Sequence, residues 1–287
     1  MISFSSFAKW ILCGEYSVVR GGKAIAFPLR NFSNCISFER KGDFFITNSE
    51  KSSEDTIFAL LRIGCELLGI PLEKISGHIE IKSDIPIQSG LGSSAAICAN
   101  IAKIFQHNGY CDDVFTLARC MENYFHRKSS GLDIAVALEN RPIIFKENSV
   151  IEFLEPSFWP NMLLTYSGKK SMTFDCIGIV KDLFLRNEKI AIELNCQMNL
   201  ASDMCEDAFK KSNFRELRDG IMLANDTFYK WGLYNESMSN HVEQLLSVGA
   251  VAAKPIGSGL GGYIISLWEE FPDEKLEFPG ILHINQP

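Results

Sequence analysis

Short apolar or β-branched runs divided by glycine, asparagine and charged residues open the chain. Trp10–Cys13, Ala24–Phe27, Cys35–Phe38 and Phe44–Thr47 each predict a strand. From Glu54 to Leu68 the spacing changes: Ile57, Leu60, Leu61, Ile63 and Leu67 recur near helical period, with Gly69 as the stop. A strand follows at His78–Ser83, where Ile79 and Ile81 alternate with Glu80 and Lys82. Ala95–Gln106 reads as a helix, and Asp112 and Asp113 offer an N-cap for another running to Phe125. Ile143–Phe145 and Leu163–Thr165 read as strands, and 171–233 is mostly helical, most clearly at Glu188–Leu200 and Phe214–Trp231. The tail returns to strands at Gly262–Leu267 and Ile281–Ile284. Strands early and late with helices between predict an α+β fold of two interleaved lobes, with a weakly marked boundary near residue 150.

The 287 residues can bury a real core. With 28 Lys+Arg against 35 Asp+Glu the net charge is −7, which argues against a dedicated nucleic-acid binder. No apolar run approaches the roughly 18 residues that span a bilayer, and the first residues do not resemble a secretory signal. The nine cysteines form no Cys-x-x-Cys, and several sit in apolar contexts, so a reducing cytoplasm is the expected compartment. Five scattered histidines make a zinc site an unattractive reading.

The strongest chemical signal is the segment Pro86–Ala96. Gly90 and Gly92 flank Leu91 and let backbone approach a ligand, while Ser93 and Ser94 open a helix whose free N–H groups attract anions. The two hydroxyls can add hydrogen bonds to phosphate or a ligand position on Mg²⁺. No Gly-Lys-Ser/Thr is present, which excludes a Walker loop. Gly90-x-Gly92-x-x-Ala95 meets the loose dinucleotide pattern with Asp112 downstream, yet Asp112 precedes a helix rather than ending a strand. Taken alone, the segment also reads as a turn with a serine cap. A second run, Lys254–Gly262, places four glycines before a strand, which suggests close backbone approach there too.

Three ordered segments resemble the motifs of the GHMP small-molecule kinases: Phe7–Val19 with Gly21–Ala26, Pro86–Ala96, and Ala253–Gly262. A fourth, Glu122–Val136, looks most like the mevalonate-kinase branch of that family. The resemblance implies a two-lobe fold, an ATP-binding lobe at 1–150 and a second lobe at 151–287, with the active site between them. It also implies Mg²⁺- and ATP-dependent phosphorylation of a small alcohol, most simply the 5-hydroxyl of mevalonate. Phosphomevalonate, another acid or a sugar is the alternative acceptor, and a non-catalytic nucleotide sensor is the rival from another class.

By the same resemblance Asp133 is the catalytic carboxylate and Lys9 its cationic partner. Gly90, Leu91, Gly92, Ser93 and Ser94 hold nucleotide, Ser94 and Glu122 hold Mg²⁺, and Glu15, Tyr16, Gly257 and Ser258 meet the acceptor. Plainer alternatives stand beside these roles: an edge-strand charge for Lys9, a helix cap for Asp133 and a solvated helix residue for Glu122. His126, beside Arg127 and Lys128, reads as loop electrostatics, and Lys169 and Lys170 as a turn or a substrate clamp. Tyr16 stands where mevalonate kinases typically carry histidine, and Leu260 interrupts the third glycine run. The expected partners are ATP and a small alcohol, without nucleic acid or membrane, in a monomer or homodimer.

Overall fold

A computed structural model describes residues 1–42, 45–48, 52–125, 129–146, 150–171, 173–272 and 276–284. The first part of the chain forms β1 (Ile2–Cys13), β2 (Lys23–Arg40), β3 (Phe45–Asn48), α1 (Ser52–Leu68), β4 (Gly77–Ser83), α2 (Ser93–His107), α3 (Val114–Glu122) and α4 (Leu132–Glu139). There follow β5 (Ile143–Lys146), β6 (Val150–Phe153), β7 (Asn161–Tyr166), α5 (Thr173–Arg186), α6 (Glu188–Lys211) and α7 (Phe214–Lys230). The chain ends through α8 (Glu236–Ser247), β8 (Ala252–Pro255), β9 (Tyr263–Trp268) and β10 (Leu282–His283). The α+β expectation holds. Phe44 of the predicted fourth strand and His126–Lys128 lie outside the described residues.

The chain divides into two compact units that interleave in sequence. Unit 1 holds Met1–Lys9, Pro28–Pro86 and Gly92–Asn140; unit 2 holds Trp10–Phe27, Ile87–Leu91 and Arg141–Pro287.

In unit 1 the later part of β2 pairs antiparallel with β4, from Asn34 opposite Ser83 to Arg40 opposite Gly77. β3 runs parallel to β4, and α1 supplies the crossover that a parallel pair requires. The core joins Ile79 and Ile81 of β4 to Leu60 and Leu61 of α1, Cys98, Ala99 and Phe105 of α2 and Met121 of α3. Ala95, Ala96, Ala99 and Ala102 of α2 are fully buried, and such short side chains let neighbouring elements come close.

Asn100 then fixes α2 against the strands: its Oδ1 accepts from Ser6 Oγ at 2.9 Å, and its Nδ2 donates to Asn34 O and Oδ1 at 3.0 and 2.9 Å. This network explains a departure from the sequence pattern. Ala24–Phe27 and Cys35–Phe38, expected as separate strands, are parts of the single 18-residue β2. The intervening Pro28 and asparagines resemble a turn, yet Asn34 is wholly buried and its backbone and side-chain oxygens both accept from Asn100.

In unit 2 the start of β2 pairs with β5, Lys23 opposite Lys146 through Ala26 opposite Ile143, and β5 pairs with β6. A separate four-stranded antiparallel sheet runs β10-β7-β9-β8. Leu163, Ile264 and Trp268 of that sheet share a core with Val242 and Leu245 of α8. Asparagine caps start three helices: Asn187, Asn213 and Asn235 accept from the N–H groups of Ile190, Glu216 and Met238. The tail strands fall where expected, as β9 and β10, while α8 fills a stretch for which the sequence pattern names no element; its buried face consists of Met238, His241, Val242 and Leu245. All nine cysteines are free thiols. Among the described residues no helix is long and apolar enough to cross a membrane.

Replacing Asn100 by alanine removes its hydrogen bonds to the buried Asn34 oxygens and the Ser6 hydroxyl. We expect Asn100→Ala to lower unfolding free energy by roughly 2–3 kcal/mol. Urea titration checks this; an unchanged midpoint contradicts the assignment.

Candidate active site

The residues singled out by the motifs fall into one group in each unit. In unit 1, Lys9 lies on β1 and is only 3% exposed, so it is not an edge charge facing water. Its Nζ stands 2.9 Å from Asp133 Oδ2. Asp133 occupies the first turn of α4, where the helix N-terminus favours a carboxylate. It is not the cap: Gly131 is, at φ 88°, in the left-handed region that glycine enters without a Cβ clash.

The segment leading to Asp133 is held by a polar network. Ser129 Oγ donates to Glu122 Oε2 and accepts from Gly131 N at 3.0 Å, while Ser129 N donates to Asn123 Oδ1 at 2.8 Å. Arg119 Nε donates to Ser129 O at 3.2 Å, and Leu132 N to Ser130 Oγ at 3.2 Å. Ser129 and Arg119 carry this positioning and escaped the motif reading. The only sequence signal for Ser129 is its place in Ser-Ser-Gly-Leu.

Glu122 ends α3 and is 3% exposed, which rules out the solvated-helix alternative. Burial, reinforced by the charge of Asp133, pushes its pKa up to about 7 against the opposing effects of Ser129 and Lys9. Ser93 and Ser94 begin α2 directly after its cap, Gly92, at φ 80°. A Cβ at Gly92 would lie 2.8 Å from Lys9 Cγ, so only glycine lets the helix start beside this lysine. Hydroxyl and carboxylate oxygens such as those of Ser94 and Glu122 are the hard donors Mg²⁺ accepts. Mg²⁺ commonly takes one or two protein ligands and completes its shell with phosphate and water, so this sparse donor set suits it. Among the described residues no group of three or more His, Cys, Asp or Glu is placed to hold a metal ion.

In unit 2, Gly90 has φ 82° and open space where a Cβ would be, Leu91 is fully buried, and Leu91 N donates to Ser89 Oγ at 3.3 Å. Gly257 lies against Gly90: a Cβ there would be 3.9 Å from Gly90 Cα and O. Glu15 Oε1 pairs with Lys254 Nζ at 2.8 Å, with both residues buried. Glu15 Oε2 is buried and has no hydrogen-bond partner among the described residues. Lys254 also stands 4.9 Å from the Phe228 ring centroid. Lys254 lies within the third motif, but no local pattern pairs it with a glutamate 239 residues earlier. Tyr16 donates its hydroxyl to Ser258 O at 2.6 Å. Leu260 adopts φ 54°, held by Leu260 N to Leu233 O and Asn235 Nδ2 to Leu260 O, both 2.9 Å. Lys169 and Lys170 are exposed.

Residues 56–141, which include the Ser93–Ser94 helix start, Glu122 and Asp133, match the GHMP kinases N terminal domain. The chain is 29% identical over 273 residues to a mevalonate kinase of Archaeoglobus fulgidus, covering 91% of this chain and 90% of that one. A mevalonate kinase of Pyrococcus furiosus is 24% identical over 292 residues, with 91% and 87% covered. Among solved structures, the mevalonate kinase of L. major in complex with R-mevalonate superposes with TM-score 0.78 at 17% identity, covering 94% and 88%. A Streptococcus pneumoniae phosphomevalonate kinase in complex with phosphomevalonate and AMPPNP gives 0.76 at 14%, covering 94% and 93%. These structural likenesses concern the fold. The match over residues 56–141 and the alignment with mevalonate kinases along nine-tenths of the chain support a small-molecule kinase, a class that uses ATP.

A carboxyl whose folded-state pKa is raised holds its proton where the unfolded chain has lost it. Stability therefore falls as pH rises from the ordinary glutamate range through about 7. In metal-free buffer we expect the wild type to lose up to roughly 2–3 kcal/mol more than Glu122→Gln between pH 4.5 and 7.5. Chemical unfolding at both pH values measures this; parallel losses contradict the burial account.

Proposed function

We propose that this chain transfers the γ-phosphoryl group of ATP to the 5-hydroxyl of mevalonate. The observation that carries the chemistry is the pairing of buried Lys9 with partly exposed Asp133. The choice of acceptor is supported by relatives named mevalonate kinase that align over nine-tenths of the chain. In this reading Asp133 accepts the proton of the attacking hydroxyl, and the Lys9 ammonium stabilises negative charge growing on that oxygen. The hydroxyl oxygen forms the new O–P bond as the bond to the leaving ADP oxygen breaks.

The nucleotide is assigned to the N-terminal region 1–150, where Gly90, Leu91, Gly92, Ser93 and Ser94 offer backbone N–H groups and hydroxyls to its phosphates. Ser94 and Glu122 are the proposed holders of Mg²⁺, which would neutralise phosphate charge when bound. Metal binding would also draw Glu122 into its ionised form, since a nearby cation favours the carboxylate. On the acceptor side, Glu15 offers its unpartnered Oε2 to a substrate hydroxyl, and the backbone of Gly257 and Ser258 supplies further contacts.

The test is ADP release from Mg·ATP with mevalonate, phosphomevalonate, and a set of sugars and hydroxy acids. Turnover on mevalonate alone is expected; turnover only on another acceptor overturns the substrate, and silence on all of them overturns the catalytic reading. Asp133→Asn should lower kcat by about 10²–10⁴-fold with ATP affinity nearly unchanged. Equal loss of binding and turnover would instead make Asp133 a structural residue.

A further inference from the structure

The surroundings of Tyr16 in unit 2 give its side chain a task of its own. Its backbone has φ 63°, in the left-handed region a bulky side chain rarely enters. Such a conformation persists where neighbours over-determine it. Here Arg20 Nη1 donates to Tyr16 O at 2.8 Å, and the ring lies edge-on to Trp231 at 5.5 Å and to Phe228 at 6.4 Å. These contacts aim the phenol at Ser258 O, 2.6 Å away, with the Cys176 thiol as a further hydrogen-bond partner. Burial raises the phenol pKa, so the hydroxyl remains a donor across the working pH range.

Ser258 in turn is bonded, hydroxyl to hydroxyl, to Ser171. Ser171 Oγ also donates to Gly259 O at 3.2 Å, and its N–H donates to Gln88 O at 3.4 Å. The third glycine loop then meets the 88–90 segment with no room to spare: a Cβ on Gly262 would lie 3.0 Å from Ser89 O. A continuous line of contacts therefore runs from the Tyr16 hydroxyl through Ser258 and Ser171 to the backbone just before Gly90. The shorter imidazole of a histidine at this position would not reach Ser258 O.

We propose that Tyr16 is a positioning residue for the nucleotide: its hydroxyl holds the third glycine loop, and that loop sets the backbone of the 88–90 segment. The proposal rests on the kinase reading only in taking Gly90–Ser94 as the phosphate-binding loop. Loss of the hydroxyl leaves the ring stack and the Cys176 Sγ bond to Gly259 O at 3.4 Å, so the loop shifts and the fold remains.

The experiment uses the full chain and reads the Kd of Mg·ATP by calorimetry together with KM for mevalonate. The variants are Tyr16→Phe, Ser171→Ala and the double. Each single change should weaken ATP binding roughly three- to tenfold. The double should be little weaker than the worse single, since both interrupt one line of contacts. KM for mevalonate should change no more than the ATP Kd, since the Ser258 backbone that Tyr16 holds is also assigned to the acceptor. A raised mevalonate KM with unchanged ATP Kd would put Tyr16 on the acceptor and overturn the proposal. Unchanged ATP binding in both singles, or fully additive losses, would overturn it too. A wild type that binds ATP but does not turn over mevalonate defeats the substrate reading and leaves the Tyr16 comparison fully readable in Kd. A wild type that does not bind ATP overturns both.

Discussion

Lys9 keeps an ammonium group almost wholly out of water, and the carboxylate of Asp133 at 2.9 Å compensates its lost hydration. Much of unit 1 is arranged around that pair. Gly92 must lack a side chain because Lys9 occupies the space a Cβ would take, and this places the first turn of α2 beside the lysine. Gly131 turns left-handed so that Asp133 enters the first turn of α4. Ser129 ties that turn to Glu122, whose own charge is disfavoured by burial and by Asp133. A cation, a carboxylate and a reluctant second carboxylate thus lie near the N-terminal turn of a helix. Such a place is suited to a highly charged phosphate and a divalent ion.

Unit 2 repeats the physical theme in its own core. Lys254 is wholly buried against Glu15, and removing either partner would leave a bare charge in an apolar interior. The pair anchors the residue just before Tyr16 to β8, which leads into the third glycine run. Ring contacts of Tyr16 with Phe228 and Trp231 and its bond to Ser258 extend the same anchorage. Leu260 fits its left-handed position because two backbone-directed hydrogen bonds hold it, even though the conformation is unfavourable for a side chain with a Cβ.

Glycines and hydroxyls declare themselves locally, so the two glycine loops were visible in the chain before any fold was known. The α1, α2 and α7 helices were likewise visible, because each carries a long apolar face at helical spacing. The full length of β2 was hidden, because Pro28 and the following asparagines look like a turn until Asn100 is there to satisfy Asn34. The α8 helix was hidden by its polar first turn, and α4 by its eight-residue length. The meeting of Lys9 with Asp133 could be foreseen only through the family resemblance, since no periodicity relates residues so far apart. Ser129, Arg119 and Lys254 act through contacts that exist only in three dimensions, and their local sequence does not distinguish them from ordinary loop or strand residues.

The most direct measurement is a double-mutant cycle on kcat with Lys9→Met, Asp133→Asn and the two combined. If the pair acts as one catalytic unit, the double variant will be about as slow as the slower single variant, since groups that work together are strongly non-additive. Losses that multiply would show that the two residues contribute independently and would contradict the account.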